Sequence, residues 1–346
     1  MRCAAIALVV AVSLVACAGA SGAKPHPGVT VAAVGDTMLG NSPELPADPG
    51  SYLDAVKGQL RGDVVFGNLE GTLTDVASSP KCGGASGGSC YAFRTPPSYG
   101  RHLAAAGFTV MNDANNHSYD FGAAGLDQTI AALHKAGIAQ TGLPGQIAVV
   151  KAGGEKVASV GFAPYSLTAN LLDLPAARKL IRRAARRARI VVVAIHAGAE
   201  GSGAQHVTGA EEHYLGEDRG NPRKFARMAV RSGADLVLGS GPHVLRGMEI
   251  YRDRLIAYSL GNFSGFHNFA TVGDLGASAI LHVTLDPDGA LRSGRVASVR
   301  LVDAGRPVPD RSGEGAALIR RLSREDLGKG AARIGGSGRI IGKVGE

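Results

Sequence analysis

Ala114-Asn115-Asn116-His117-Ser118-Tyr119-Asp120-Phe121-Gly122 stands between an apolar run, residues 108–112, and an Ala-rich stretch, residues 122–136, that ends at Gly137. The first flank reads as a short buried strand and the second as a helix. A strand that stops in a polar loop and hands over to a helix is the repeating unit of an α/β fold. Its polar residues fall at the carboxyl end of the strand, where open α/β sheets gather their ligands.

The same pattern recurs on both sides. Residues 29–34 form a buried-strand pattern that ends at Gly35-Asp36, and residues 63–66 end at Gly67-Asn68 with Glu70 just beyond. Residues 190–195 are the most emphatic strand and end at His196; residues 236–238 lead toward His243. Helices are expected at 51–60, 97–106 and 221–231, the last with Pro222 at its first position, where its missing N–H costs nothing. Short strands at 147–150 and 156–162 precede and flank a basic helix. Hairpins are expected at 246–259, around Arg252-Asp253-Arg254, and across the turn Asp286-Pro287-Asp288-Gly289. A helix at 316–327 precedes a Gly-rich tail with little to bury. No long linker interrupts residues 29–303, which predicts a single α/β domain with a C-terminal helix and tail at 304–346.

Five strand ends thus carry Asp36; Asn68 and Glu70; Asn115, Asn116 and His117; His196; and His243. Each alone has a plain structural explanation: a helix cap, a turn, a satisfied core histidine. Shared across five strand ends, the pattern points to one site. Oxygen and imidazole donors without thiolate suit Mn, Zn, Fe or Mg rather than a structural zinc.

At this point a family resemblance emerges. Val34-Gly35-Asp36-Thr37-Met38-Leu39-Gly40, Asn68-Leu69-Glu70, the Asn115-Asn116-His117 stretch through Gly125-Leu126, His196-Ala197-Gly198-Ala199-Glu200, Gly239 to Val244 and Tyr258-Ser259-Leu260-Gly261-Asn262-Phe263 occur in this order. Together they resemble the poly-gamma-glutamate capsule synthesis (CapA-type) branch of the metallophosphoesterase superfamily. The resemblance implies an α+β sandwich of two mixed sheets flanked by helices. It also implies a divalent metal held by Asp36, Glu70, Asn116, His196 and His243. His117 takes the position of the proton-donating histidine, with Asp120 either orienting its other ring nitrogen or making a loop hydrogen bond. Asn68, Asn115 and Asn262 fall at expected substrate-binding positions. Two departures stand out: Ser240 and Gly241 occupy positions where family members usually carry histidine, which weakens a second metal position. Ala197 replaces a tryptophan in a chain that has none.

The N-terminus suggests export. After Met1-Arg2, an apolar run to Ala16 is too short for a bilayer span and ends in Leu14-Val15-Ala16-Cys17, which fits a lipobox. Residues 1–16 then read as a lipoprotein signal peptide, Cys17 as the lipidated residue and 17–28 as a flexible tether. The alternative is a plain signal peptide cut around Ala18-Gly19-Ala20. An exported chain with Cys82 and Cys90 close together predicts one disulfide; free thiols and a metal site are the poorer alternatives. The formal charge is +8, much of the excess lying in residues 178–189, which read as a solvated helix face near an anionic envelope. No aromatic interleaving supports nucleic-acid binding. Three readings follow. One is a membrane-anchored, extracytoplasmic factor for making or exporting an anionic polymer, with that polymer or other capsule-machinery proteins as partners. The others are a surface metal-dependent phosphoesterase and a non-catalytic binding module on the same fold.

Overall fold

The computed structural model describes residues 28–82 and 90–341. The signal peptide, Cys17 and all of the tether but Gly28 lie outside the described residues. Four layers stack: helices, a ten-stranded mixed sheet, a six-stranded mixed sheet, and helices again. The layering follows from strands that are apolar on both faces. In Val29–Met38, Val31 and Ala33 face the second sheet, while Ala32 and Val34 face helices. In Ile190–His196, Val192 and Ala194 point into the intersheet core, whereas Val191, Val193 and Ile195 meet the helices of the far side. Side chains alternate across a strand, so a continuous apolar run is what a doubly covered strand requires. Burying one Val or Leu side chain contributes roughly 1.5–3 kcal/mol.

The helices carry apolar stripes that match. Leu174–Ala185 buries Ala177, Leu180, Ile181 and Ala184, turns its arginines outward and is capped by Asp173, whose carboxylate accepts from the Ala176 N–H at 3.0 Å. Pro222–Arg231 is capped by Asn221 and buries Phe225, Ala226, Met228, Ala229 and Val230. No helix among the described residues is long and apolar enough to cross a membrane.

Several expectations need adjustment. The expected helix at 51–60 is only a turn, Asp54–Lys57, bounded by Gly58. The first strand runs to Met38 rather than residue 34, because beyond Asp36 it pairs with a strand not anticipated as such, Asn262–Gly265. Strands Ala139–Thr141 and Arg306–Pro309 also went unread. The Gly-rich tail does bury apolar groups. Its strands Arg333–Ile334 and Arg339–Ile341 extend the large sheet and sequester Ile334 and Ile340, two isolated apolar residues whose signal the glycines dilute.

Candidate metal centre and cleft

Parallel pairing brings the strand ends to one pole. Val29–Met38, Val64–Leu69 and Val110–Asn112 run parallel in the large sheet; Ile190–His196 and Leu236–Ser240 run parallel in the small one. Asp36 sits where the register shifts against two neighbouring strands, and such bulges re-aim side chains beside functional sites. The bulge packs tightly against Gly261: a Cβ at Gly35 would lie 1.9 Å from the Gly261 carbonyl oxygen, so only glycine fits there.

Asp36, Glu70 and His196 are fully buried, and donor atoms from the three lie within 4.8 Å of one another. Asn68 Nδ2 donates to Asp36 Oδ1 at 2.8 Å and to Glu70 Oε2 at 2.6 Å, holding the two carboxyl groups in one cradle. His243 lies against them, its Nδ1 3.1 Å from Asp36 Oδ2 and 2.8 Å from Asn262 Oδ1. His243 has a left-handed φ of 59°, a conformation that costs a non-glycine residue energy and clusters at functional sites.

Burial pushes the Glu70 carboxyl well above the usual range, reinforced by the charge of Asp36. Burial also holds His196 well below the usual imidazole value. His243 goes the other way: burial opposes its charge, but Asp36, Glu70 and Glu200 together raise it to about 10. Glu70 Oε1, Asn116 Oδ1 and His196 Nε2 are buried and have no hydrogen-bond partner among the described residues. Unmatched buried acceptors are costly, and a divalent cation is the ligand that acceptor atoms of this kind satisfy together.

Beside this group lies one whose carboxylate is matched. His117 Nδ1 donates to Asp120 Oδ2 at 2.7 Å, leaving Nε2 3.8 Å from Glu70 Oε1. Asp120 also accepts from the Phe93 N–H and from Lys81 Nζ, each at 2.7 Å. Both contacts anticipated for Asp120 are therefore present, the one to the histidine and the loop hydrogen bond to Phe93. The residue after Lys81 is cross-linked: Cys82 and Cys90 form the expected disulfide, with Cα atoms 5.7 Å apart, at the edge of the cleft.

The cleft above has a volume of about 760 Å³ and an aromatic wall of Tyr91, Phe93, Tyr165 and Phe269 in place of tryptophan. Of the three asparagines expected to touch substrate, Asn115 and Asn262 line the cleft, and all three also make internal hydrogen bonds. Asn68 holds carboxyl groups. Asn115 donates to Leu69 O at 2.8 Å and accepts from the His117 N–H at 2.9 Å. Asn262 accepts at His243. Gly241 is not simply a lost ligand: at φ 104° a Cβ there would sit 3.1 Å from the His196 ring. Ser240 Oγ lies 3.2 Å from His196 Nδ1. Sequence reading missed Lys81 and Arg219 and assigned no role to Glu200. Arg219 is buried, its Nη1 bonded to Glu200 at 2.6 Å, and Glu200 faces His243 Nε2 at 3.8 Å. Proximity of Lys81 to Cys82 was the one available clue; Arg219 offered none.

Fold and site together define an α/β protein with a buried carboxylate–imidazole centre at the carboxyl ends of its strands. Residues 30–265 match the family described as "Bacterial capsule synthesis protein PGA_cap", and the chain belongs to that family. The chain is 30% identical over 236 residues to "PGA biosynthesis protein CapA" of Bacillus subtilis (strain 168), covering 63% of this chain and 58% of the relative. It is 30% identical over 250 residues to "Capsule biosynthesis protein CapA" of Bacillus anthracis, covering 65% and 56%. The aligned region thus spans less than two thirds of these relatives' length. Among solved structures it is similar to a 5'-nucleotidase precursor from Thermus thermophilus, with a TM-score of 0.42 and 16% identity over 86% of this chain and 58% of that one.

Proposed function

We propose that this chain assists the synthesis or export of an anionic surface polymer of the poly-gamma-glutamate type from an extracytoplasmic position, anchored by lipid at Cys17. The observation that carries the reading is that the family match spans the very strand ends at which Asp36, Glu70 and His196 converge. The capsule names of the two Bacillus relatives support the polymer.

The donor set fits a divalent cation: Asp36, Glu70 and His196 would hold it, with Asn116 and His243 alongside. A bound cation of this type supplies Lewis acidity and makes water a nucleophile near neutral pH. The chain's own residues supply the rest. Asn68 fixes the two carboxyl groups, Asn262 orients His243, and Asp120 fixes His117 so that Nε2 points into the site. Burial lowers the His117 pKa, with Asp120 opposing it; a proton at Nε2 would be placed to pass to a leaving oxygen, the ordinary work of a general acid.

In a host deleted for this chain, surface polymer should fall and return with the wild-type gene but not with Asp36→Ala. Equal rescue by both would show that the centre is not used. A second reading, a surface phosphoesterase with no polymer role, is favoured by the matched His117–Asp120 pair. It predicts metal-dependent hydrolysis of a phosphodiester or phosphomonoester and normal polymer in the deletion. Lipidation is tested separately: labelled fatty acid should enter the wild type and not Cys17→Ser.

A further inference from the structure

The pole opposite the cleft carries a second, unrelated cluster. Lys151 and Lys156 lie directly across from each other on the antiparallel strands Ala148–Ala152 and Glu155–Phe162. Like charges in that arrangement repel rather than stabilise. Next to them the basic helix ends, and Arg186, Arg187 and Arg189 complete one groove with the two lysines. Arg189 is 3.6 Å from Glu155, the acidic member of the groove. Lys151, Lys156, Arg186 and Arg187 are exposed and form no ion pair among the described residues. Such a cluster costs folding stability through self-repulsion, which an external anion relieves.

Where this groove lies identifies the partner. It sits at the amino ends of the strands whose carboxyl ends form the site; the seven residues of Ile190–His196 separate the two by roughly 20 Å. The first described residues emerge beside it. A Cβ at Gly153, in the turn between the two lysine strands, would lie 3.1 Å from the Gly28 carbonyl oxygen. Upstream of Gly28 the sequence carries the apolar run ending in Leu14-Val15-Ala16-Cys17. Gly28, to which that segment is joined in sequence, and the uncompensated cations therefore lie on the same side of the domain. A soluble polyanion gains nothing from that coincidence, whereas an anionic bilayer meets both at once.

We propose that the Lys151, Lys156, Arg186 and Arg187 pole lies against anionic lipid headgroups and turns the cleft away from the membrane. From the surface-anchored reading this takes only the compartment. Failed fatty-acid labelling would remove the anchor and leave the vesicle result below intact.

The test is binding of the full chain to vesicles of phosphatidylcholine alone and with added phosphatidylglycerol, read as the ratio of the two dissociation constants. Apolar attachment cancels in that ratio. Anionic lipid should tighten wild-type binding, with about a five-fold loss for each charge removed. The triple variant Lys156→Ala/Arg186→Ala/Arg187→Ala should therefore lose on the order of a hundred-fold and keep wild-type metal content. Lys224→Ala, on the Pro222–Arg231 helix away from the groove, should leave the ratio unchanged. A triple variant with the wild-type ratio would overturn the proposal. So would a wild-type chain that binds soluble poly-gamma-glutamate through these residues but is indifferent to phosphatidylglycerol.

Discussion

The two halves of the cleft floor differ in how completely their polar groups are matched. Around His117, ring and carboxylate find partners: Asp120 accepts from the imidazole, from Lys81 and from the Phe93 backbone. Around Asp36, Glu70 and His196 the hydrogen bonding stops short, leaving Glu70 Oε1, Asn116 Oδ1 and His196 Nε2 without partners among the described residues. A matched half is preorganised and needs nothing further; an unmatched half is built for something that arrives. The proposed function gives the first the handling of a proton and the second the holding of a cation.

The comparison predicts that the halves separate under mutation. His117→Ala should lower hydrolysis of a responsive phosphoester by about 10²- to 10⁴-fold, the usual worth of a positioned general acid, with metal content unchanged. Steady-state rates set beside elemental analysis check this. A parallel loss of metal would merge the two halves into one. Asp120→Asn should cost less, about 10- to 100-fold, typical of a group that orients another. Its distinguishing mark is a displaced pH–rate profile, which a merely structural role would not produce.

Protons sharpen the contrast further. Without a cation, Asp36, Glu70 and Glu200 hold His243 protonated, with a pKa raised to about 10, and the Glu70 carboxyl is held well above its usual range. A cation that takes over these carboxyl groups must displace protons, so affinity should rise with pH up to about 10 and fall in acid. Calorimetry in buffers of differing ionisation enthalpy measures the released protons directly. Release of none would mean that His243 and Glu70 lie outside the site.

The smallest effect concerns Asp113, buried just behind the His117 loop. Burial raises its pKa from 3.8 to about 8. A raised folded-state value favours folding fully only below 3.8, and that contribution is lost as pH climbs toward 8. Asp113→Asn should therefore raise the melting temperature near pH 7 by a few degrees, at roughly 2–4 °C per kcal/mol. It should also flatten the dependence of stability on pH between 4 and 8. An unchanged slope in thermal melts would remove Asp113 as its source.

The site was more legible in the sequence than the way it is held. Asp36, Glu70, His117 and His196 each lie at or just beyond the end of an apolar run buried on both faces, and periodicity alone places such runs. Which sheet each strand joins was not written in any local pattern: Asn262–Gly265 pairs with the first strand across more than two hundred residues. Asn68, Asn115 and Asn262 read as substrate contacts, and the internal hydrogen bonds their amides also make carry no local signal. The tail strands escaped notice because two buried isoleucines among glycines carry little periodic signal. Lys81 and Arg219 are fixed by loops, whose long-range packing a local reading does not see.

On the proposed function, the unmatched half binds one divalent cation tightly. Titrating the metal-stripped chain with manganese and with zinc by calorimetry, for wild type and His196→Ala, tests it directly. One tight site in wild type, weakened at least a hundred-fold in the variant, is the predicted result; a second site, where Ser240 and Gly241 offer no imidazole, should be weak or absent. Equal affinity in both proteins would contradict the ligand set, and two tight sites in wild type would contradict the single-cation account.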